Sequence, residues 1–264
     1  MAKELYVKYL SQEALLEAGC LDMNAAIDVV ENVLLAYANG RVLYPDKTVQ
    51  IFDEELQSRI NCLPATLLDE KVCGMKWVSV FPGNPHLFGL QNQSAVLLLS
   101  SLETGFPIAI LEGMLSSNLR TAAVGSCAAK YLARPDSREI GFIGAGEMAR
   151  MHLLGMKTVL PGLKICRVAS RTEKTENEFI AQMAPLFPDM EFIPCRGSYE
   201  KAAVGADVIV TAISGQAPLL RGAWCKKGAF YCHVAGWEDD EETALKADKI
   251  VCDNWEVVKH RTQT

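Results

Sequence analysis

The sequence predicts an α/β protein in two parts, a doubly wound parallel sheet preceded by a smaller, strand-rich α+β domain. After about residue 134, strand-like and amphipathic helical stretches alternate in regular order. Most of the first 115 or so residues are strand-like and are separated by turn-forming residues. A glycine-rich turn joins the first strand of the second half to the helix that follows it. We therefore expect two domains, residues 1–118 and 119–264.

The second half contains six candidate strands, enough for a complete doubly wound sheet. They are expected near residues 140–143, 164–169, 191–194, 206–213, 229–235 and 248–252. In the first half, strands are expected near 5–9, 47–52, 58–67, 71–80, 94–101 and 106–112, and helices over about 22–39 and 116–132. Asp22 is a suitable N-cap for the earlier helix. The expected apolar face of that helix consists of Ala26, Val29, Val33 and Tyr37.

Composition and charge argue against several classes of partner. Half of the residues are apolar, the formal net charge is −6, and Lys and Arg do not cluster, which disfavours nucleic acid and anionic membranes. The longest apolar stretches, such as residues 95–99, are too short to cross a bilayer, and the N-terminus lacks a signal-peptide core. Nine cysteines without C-x-x-C or metal-binding spacing indicate free thiols and a cytoplasmic protein.

The glycine-rich turn indicates a dinucleotide-binding site of the Rossmann type. An apolar strand ends in the pattern G-x-G-x-x-A at Gly144, Gly146 and Ala149, and an apolar-periodic helix follows. The first glycine permits a tight turn, the second lets the backbone approach a diphosphate, and the small third residue lets helix and strand pack closely. The candidate cofactor contacts are Gly144, Ala145, Gly146, Glu147 and Met148. The alternative is a glycine-rich turn in another kind of α/β protein.

The end of the next strand favours NADP(H) over NAD(H). NAD sites usually carry Asp or Glu there to bind the ribose hydroxyl, whereas this chain has Ser170, Arg171 and Thr172. Arg171 could bind a 2′-phosphate through charge-assisted hydrogen bonds, or it could be a solvated residue at the start of the next helix. Candidates for contact with the nicotinamide ribose, by their position after the fourth strand, are Thr211, Ser214 and Gly215.

Several motifs together resemble the ornithine cyclodeaminase/mu-crystallin family. They are G-M-K-W at residues 74–77, T-G-F-P at 104–107, S-N-L-R-T-A-A at 117–123 and G-A-F-Y-C-H-V-A-G at 228–236. The resemblance covers essentially the whole chain, and the L-R-T-A-A element at this distance before a dinucleotide motif is specific. Residues 246–255 are most similar to the branch that acts on amino-carboxyethyl glutamate in 2,3-diaminopropionate biosynthesis.

The resemblance implies an NAD(P)-dependent enzyme that transfers hydride at the α-carbon of a small amino or imino acid. Family members include ornithine cyclodeaminases, amino-acid and opine-like dehydrogenases, and ketimine reductases. By this resemblance, Lys76 and Glu238 are the candidate catalytic residues. The implied substrate contacts are Lys47, Gln93 and Arg120, and Val234 is a further cofactor contact. The resemblance also implies a homodimer.

The chain departs from the family pattern at three points. Glu238 stands where cyclodeaminases carry aspartate, although residues 238–242 could also be an acidic helix start, and Lys47 stands where an arginine is expected. A longer carboxylate and the loss of a planar guanidinium weigh against ornithine cyclisation and leave dehydrogenase or reductase chemistry open. The family's C-terminal return segment is expected to be absent. The alternative function is that of a mu-crystallin-like, NADP(H)-dependent binding protein without turnover.

Overall fold

The computed structural model of the chain describes residues 4–214 and 217–259 and divides into two compact units. Unit 1 is Met1–Leu119 and unit 2 is Arg120–Thr264. Each unit combines helices with one sheet, and every strand pair in the sheet of unit 2 is parallel. This architecture confirms the predicted fold class.

Unit 1 is built on a seven-stranded sheet. Its strands are β1 Lys8–Leu10, β2 Val42–Leu43, β3 Thr48–Asp53, β4 Ser58–Leu67, β5 Val72–Val80, β6 Gln93–Ser101 and β7 Pro107–Glu112. The strand order is β1-β7-β6-β5-β4-β2, and β3 pairs with β4. Strands β4 to β7 pair antiparallel with their neighbours in sequence, whereas β1 is parallel to β7. The helices are α1 Gln12–Glu17, α2 Met23–Ala38, α3 Asn84–Leu87 and the beginning of α4 Met114–Leu132.

The two faces of this sheet differ in burial. Because side chains alternate along a strand, Val78 of β5 lies on one face and Trp77 on the other. Val78 is 7% exposed, whereas Trp77 is 38% exposed. On the face of Trp77, its β6 partner Val96 and, further along, Ile110 of β7 are also exposed. Unit 1 therefore presents an exposed apolar sheet face.

Helix α2 begins where the sequence predicts, but its buried stripe differs from the prediction. Asp22 caps the helix by accepting a hydrogen bond from the Ala25 amide at 3.1 Å. Met23 and Ile27 are the buried residues, whereas Val29, expected on the apolar face, is 59% exposed. The predicted stripe was wrong because apolar residues occur around most of this helix, so periodicity does not single out one face. The first strand is shifted as well, from the predicted residues 5–9 to Lys8–Leu10.

Unit 2 contains a five-stranded parallel sheet with helices between its strands. The strands are β8 Glu139–Ile143, β9 Ile165–Ala169, β10 Glu191–Pro194, β11 Val208–Thr211 and β12 Phe230–His233. The helices after α4 are α5 Glu147–Val159, α6 Glu173–Met183, α7 Tyr199–Ala203, α8 Glu241–Leu245 and α9 Trp255–Val258. The order β10-β9-β8-β11-β12 reverses between β8 and β11. Open α/β sheets bind ligands at the carboxyl ends of the strands beside such a reversal.

The sixth strand predicted for this sheet was wrong. Residues 248–252 form neither strand nor helix, and Ile250 and Val251 are 71% and 61% exposed. The apolar run that suggested the strand is short and lies between the charged residues Lys249 and Asp253. It can therefore bury little apolar surface against the edge strand β12.

Both faces of β8 are tightly packed. Phe142 is fully buried against Phe179 of α6, and their ring centroids lie 5.6 Å apart. On the other face, a Cβ atom at Gly141 would lie 1.9 Å from the carbonyl oxygen of Ala202 in α7, so the helix approaches as closely as it does only because this residue is glycine. This packing fixes the carboxyl end of β8, where the glycine-rich turn begins.

Candidate cofactor and active site

The glycine-rich turn after β8 has a backbone conformation that requires glycine. Gly144 has a φ of +105°, and a Cβ atom there would lie 2.3 Å from the carbonyl oxygen of Ala212. Its amide donates a hydrogen bond to the carbonyl of Ala169 at 2.8 Å, which holds the turn against the end of β9. Ala149, the third small residue of the motif, is fully buried. Glycine is therefore required at residue 144 for both conformation and space.

Gly146 leaves open space at the N-terminus of α5. It is the N-cap of this helix, and no side chain caps the first turn. A Cβ atom at Gly146 would meet no atom within 4 Å, so nothing in the protein itself requires a glycine there. Unpaired amides and the helix dipole attract an anion to such a terminus. The open space at Gly146 therefore fits the diphosphate of a dinucleotide, and the other predicted contacts, Ala145, Glu147 and Met148, adjoin it in sequence.

The loop after β9 exposes Arg171 and uses its neighbours to hold its own shape. Ser170 is buried, and its hydroxyl bonds to the carbonyl of Thr172 at 3.0 Å and to the hydroxyl of Thr175. Thr172 is the N-cap of α6 and accepts a hydrogen bond from the Thr175 amide at 3.3 Å. The third predicted contact, Arg171, is exposed.

Beneath this loop lies a buried carboxylate that the sequence analysis missed. Glu176 of α6 is fully buried, and its Oε1 accepts hydrogen bonds from the amides of Ser170 at 2.9 Å and Gly197 at 2.8 Å. Its Oε2 accepts a third from the amide of Arg196 at 2.8 Å. Glu176 thus joins the loop after β9 to the loop after β10. Sequence alone gives no signal for this role, because glutamate is common in the first turns of helices.

The predicted catalytic carboxylate, Glu238, is fully buried and joins the ends of β11 and β12. Its Oε1 accepts a hydrogen bond from the Ile213 amide at 2.9 Å. Its Oε2 accepts from the Thr211 hydroxyl at 2.8 Å and from the amides of Val234 and Ala235 at 3.0 and 2.9 Å. Burial raises the pKa of Glu238, while these donors oppose the rise by stabilising the charged form. Both carboxylate oxygens are therefore engaged inside the protein.

The hydrogen bonds to Glu238 also fix the orientation of other predicted cofactor residues at the ends of β11 and β12. Thr211 is fully buried, and its hydroxyl also lies 3.0 Å from that of Tyr231, so it is directed into the protein. Val234 is partly buried, and Glu238 engages its amide. Ser214 is exposed at the end of the described segment, and Gly215 lies outside the described residues.

His233 is an exposed titratable group beside Glu238. It ends β12, with Nδ1 3.2 Å from Oδ1 of Asp239 and Nε2 3.6 Å from Oε2 of Glu238. Its side chain is 28% exposed, whereas that of Glu238 is 0% exposed. An imidazole in contact with carboxylates is suited to accept and release protons. The sequence places this histidine in a family motif, but the motif alone gave it no role.

In unit 1, the predicted catalytic residue Lys76 lies in the middle of β5. It pairs with Leu63 of β4 and Leu97 of β6. Its Nζ donates a hydrogen bond to the Ser117 hydroxyl at 3.0 Å. Ser117 lies in the first turn of α4, and Arg120 follows it by three residues on the same face of the helix. Arg120 itself is exposed.

Two other predicted substrate contacts share the sheet face of Lys76. Gln93 begins β6 and lies four residues before Leu97, the β6 partner of Lys76. Because side chains an even number of residues apart lie on the same face of a strand, Gln93 shares the face of Lys76. Lys47 directly precedes β3. If the register of β3 with β4 is continued by one residue, Lys47 lies opposite Leu63, which is also the β4 partner of Lys76. The three side chains are therefore brought to one face of the sheet in unit 1.

Comparison with known proteins identifies the family. The sequence model of the ornithine cyclodeaminase/mu-crystallin family matches residues 10–263. The chain belongs to this family. Among its relatives is N-((2S)-2-amino-2-carboxyethyl)-L-glutamate dehydrogenase of Staphylococcus aureus, which is 28% identical over 260 residues, or 97% of this chain and 77% of the relative. The family predicted from the motifs is thereby confirmed.

Solved structures of family members have the same fold. A Delta(1)-pyrroline-2-carboxylate reductase of Thermococcus litoralis, in complex with NADH and L-proline, matches with a TM-score of 0.86 and 29% identity, covering 91% of this chain and 74% of the other. An archaeal alanine dehydrogenase dimer with bound NAD matches with a TM-score of 0.76 and 31% identity, covering 85% of this chain and 66% of the other.

The described part of the chain, residues 4–214 and 217–259, contains neither a membrane-spanning helix nor a metal-binding cluster. None of the helices there has the length and apolar character needed to cross a membrane. Within the same residues, no group of three or more His, Cys, Asp or Glu side chains could hold a metal ion.

Proposed function

We propose that this protein is an NAD(P)-dependent oxidoreductase that acts at the α-carbon of a small α-amino or α-imino acid. The observation that carries the proposal is the open turn at Gly146, where free space meets an uncapped helix N-terminus at the carboxyl edge of a parallel sheet. Family membership and the bound NAD or NADH of the similar solved structures support it. When bound, the nicotinamide gives or takes a hydride at the substrate α-carbon.

We further propose that the protein prefers NADP(H) to NAD(H). The loop after β9 offers the exposed guanidinium of Arg171 where an NAD site usually offers a carboxylate. Arginine can bind a phosphate through two parallel charge-assisted hydrogen bonds. Gly144 to Met148 would hold the diphosphate, and Ser170 and Thr172 would shape the loop.

The proposed substrate contacts follow the family resemblance and the chemistry of each side chain. Arg120 would bind the substrate carboxylate as a planar, bidentate partner. Lys47 and Gln93 would add a charge and an amide to the substrate pocket. Lys76 would donate a hydrogen bond or a proton at the reacting nitrogen or carboxylate, with its Nζ held by Ser117.

Proton transfer is proposed to involve Glu238 through its neighbour His233. When the amine is oxidised, its nitrogen must lose a proton as the α-carbon loses hydride, and reduction of the imine requires the reverse. His233 is partly exposed and contacts Glu238 and Asp239, so its imidazole can carry that proton. Glu238 is enclosed by four donors and would act by positioning the histidine and the two loops.

A homodimer formed through unit 1 is part of the proposal. The apolar sheet face that contains Trp77, Val96 and Ile110 is exposed, and monomeric proteins rarely expose a large continuous apolar patch. The alanine dehydrogenase among the similar structures is a dimer. A cytoplasmic location is also proposed, supported by nine cysteines that are all free thiols.

A second candidate function is NADP(H)-dependent binding without turnover, as in a mu-crystallin-like protein. The engagement of both oxygens of Glu238 favours it, because the carboxylate predicted to move protons does not face solvent. Such a protein would retain the nucleotide site of unit 2 and lack the chemistry.

Nucleotide titration followed by a substrate panel separates these functions. We expect NADPH to bind, and its absorbance to decay with at least one cyclic imine or one pair of 2-oxo acid and amine. Arg120→Ala should abolish the decay, whereas Arg120→Lys should mainly raise KM. Binding of NADPH without consumption across the panel would support the binding protein. Absence of binding by both NADH and NADPH at millimolar concentration would contradict both functions.

A further inference from the structure

The loops after β9 and β10 run side by side at the carboxyl edge of the sheet. Pro194 of β10 is aligned with Val168 of β9, and the next amide, that of Cys195, donates to the Val168 carbonyl at 2.9 Å. Further on, a Cβ atom placed on Gly197 would lie 3.7 Å from the Ser170 carbonyl oxygen. The backbone that carries Arg196 is therefore adjacent to the loop that carries Arg171.

Glu176 fixes Arg196 in an unusual backbone conformation. Arg196 has a φ of +53°, which non-glycine residues rarely adopt. The other non-glycine residues with positive φ in the described chain are Gln57 and Lys71, and both lie in tight turns between paired strands of unit 1. Arg196 lies in the turn Cys195–Ser198, which the Ser198 amide closes by donating to the Cys195 carbonyl at 3.1 Å, and its own amide donates to the buried carboxylate of Glu176. The turn and the carboxylate together fix the backbone that carries the Arg196 guanidinium.

The two arginines present exposed positive charge at this edge. Both are exposed, and within residues 4–214 and 217–259 neither guanidinium forms an ion pair. Glu176 is fully buried, and its oxygens accept hydrogen bonds from three amides rather than from either guanidinium. The exposed carboxylate of Glu173, at the start of α6, is the counter-charge nearest in sequence to Arg171. Two cations therefore flank the place expected for the adenosine ribose.

We propose that Arg196 is a second specificity-determining residue, which binds the 2′-phosphate of NADP(H) together with Arg171. This inference rests on the proposed preference for NADP(H). A phosphate monoester carries close to two negative charges at neutral pH, so two guanidiniums match it better than one. The residue lies one strand beyond the loop that usually decides between the two cofactors.

Direct binding measurements test the inference without requiring turnover. Dissociation constants of NADPH and NADH are measured by fluorescence titration at constant ionic strength for the unmodified protein, Arg196→Gln and Arg138→Gln. Arg138 is a matched control, because it is exposed at the opposite, amino edge of the sheet, directly before β8. We expect Arg196→Gln to weaken NADPH binding about tenfold, the usual effect of losing a charge-assisted hydrogen bond, and NADH binding by less than about twofold. Arg138→Gln should change neither.

A second variant distinguishes a loss of affinity from a failure of the protein to fold. Arg196→Gly suits the positive φ, so it should fold and show the same selective loss of NADPH affinity. If both Arg196 variants keep the full preference for NADPH while Arg171→Gln loses it, the inference is overturned and the proposed function stands. If the unmodified protein binds NADH as tightly as NADPH, the cofactor preference and the inference both fail. If it binds neither, the proposed function fails as well.

Discussion

The ammonium nitrogen of Lys76 donates a hydrogen bond to the hydroxyl of Ser117 at 3.0 Å, joining the middle of β5 to the first turn of α4. The same helix carries Arg120 one turn later. Glu112 caps the start of the helix, since its carboxylate accepts hydrogen bonds from the amides of Met114 and Leu115 at 2.6 and 3.0 Å. The position of the lysine therefore depends on a helix end that is itself fixed.

Replacing Lys76 tests its proposed role. We expect Lys76→Met to lower kcat at least about 100-fold, the usual contribution of a general acid or base, and to leave the NADPH dissociation constant unchanged. Ser117→Ala removes the hydrogen bond but keeps the ammonium, so its effect on kcat should be about tenfold or less. Steady-state kinetics with a titration of NADPH would show this, and an unaltered kcat in the Lys76 variant would remove that residue from the mechanism.

The two glycines of the turn should respond differently to added side chains. Gly146→Val places a side chain in open space, so the protein should keep its thermal stability and lose NADPH affinity. Gly144→Ala forces a Cβ against the Ala212 carbonyl in a disfavoured conformation, so it should lower the free energy of unfolding by several kcal/mol. Thermal melts and nucleotide titrations of both variants give the comparison. Full NADPH affinity in Gly146→Val would show that the diphosphate binds elsewhere.

Glu238→Gln tests whether this carboxylate is structural. The amide nitrogen that replaces one oxygen would face hydrogen-bond donors, so we expect the free energy of unfolding to fall by about 1–3 kcal/mol. Glu241→Gln is a matched control, because Glu241 is exposed at the start of α8. Urea denaturation measures both. Unchanged stability together with lost turnover would instead identify Glu238 as the proton carrier.

His152 should make the stability of the protein depend on pH. It is 1% exposed, its Nδ1 lies 2.7 Å from the Met148 carbonyl oxygen, and burial lowers its pKa from 6.5 to about 4. Between these values the unfolded chain binds a proton that the folded protein rejects, so stability is full above pH 6.5 and declines as the pH falls towards 4. The loss should be about 2 kcal/mol at pH 5.

The measurement is urea denaturation at pH 7 and pH 5. His152→Met should reduce the difference between the two pH values, whereas His86→Gln, at an exposed site in α3, should leave it unchanged. The same pH dependence in His152→Met as in the unmodified protein would assign the effect to other groups.

Strong local patterns allowed much of the fold to be predicted. Strand β4 has the predicted bounds, 58–67, because turn-forming residues delimit the run on either side. The turn at Gly144 and Gly146 was predictable because Gly144 satisfies a local steric demand and Gly146 follows it at the fixed spacing of the motif. Residues 248–252 and the stripe of α2 could not be predicted correctly, since tertiary packing decides which of several apolar residues are buried.

The candidate site was predictable at the level of backbone position but not of side-chain direction. The sequence places Ser170, Thr211 and Glu238 at or after the ends of predicted strands, and the structure has them at the carboxyl edge of the sheet. The sequence does not indicate that Ser170 and Thr211 turn their hydroxyls inward, or that four donors surround Glu238. The role of Glu176 is harder to predict still, because two of its partners are backbone amides 20 and 21 residues away, beyond β10. Contacts with backbone amides do not depend on the type of the partner residue, so the sequence does not reveal them.

Because Glu176 connects the loops after β9 and β10, it constrains any attempt to change the coenzyme preference of the protein. If only the loop after β9 is replaced, the carboxylate of Glu176 must bind a different backbone amide in place of that of Ser170. The loop after β10, which Glu176 also binds, would then shift as well. A variant with changed coenzyme preference should therefore replace the loop after β9, the loop after β10 and the first turns of α6 together.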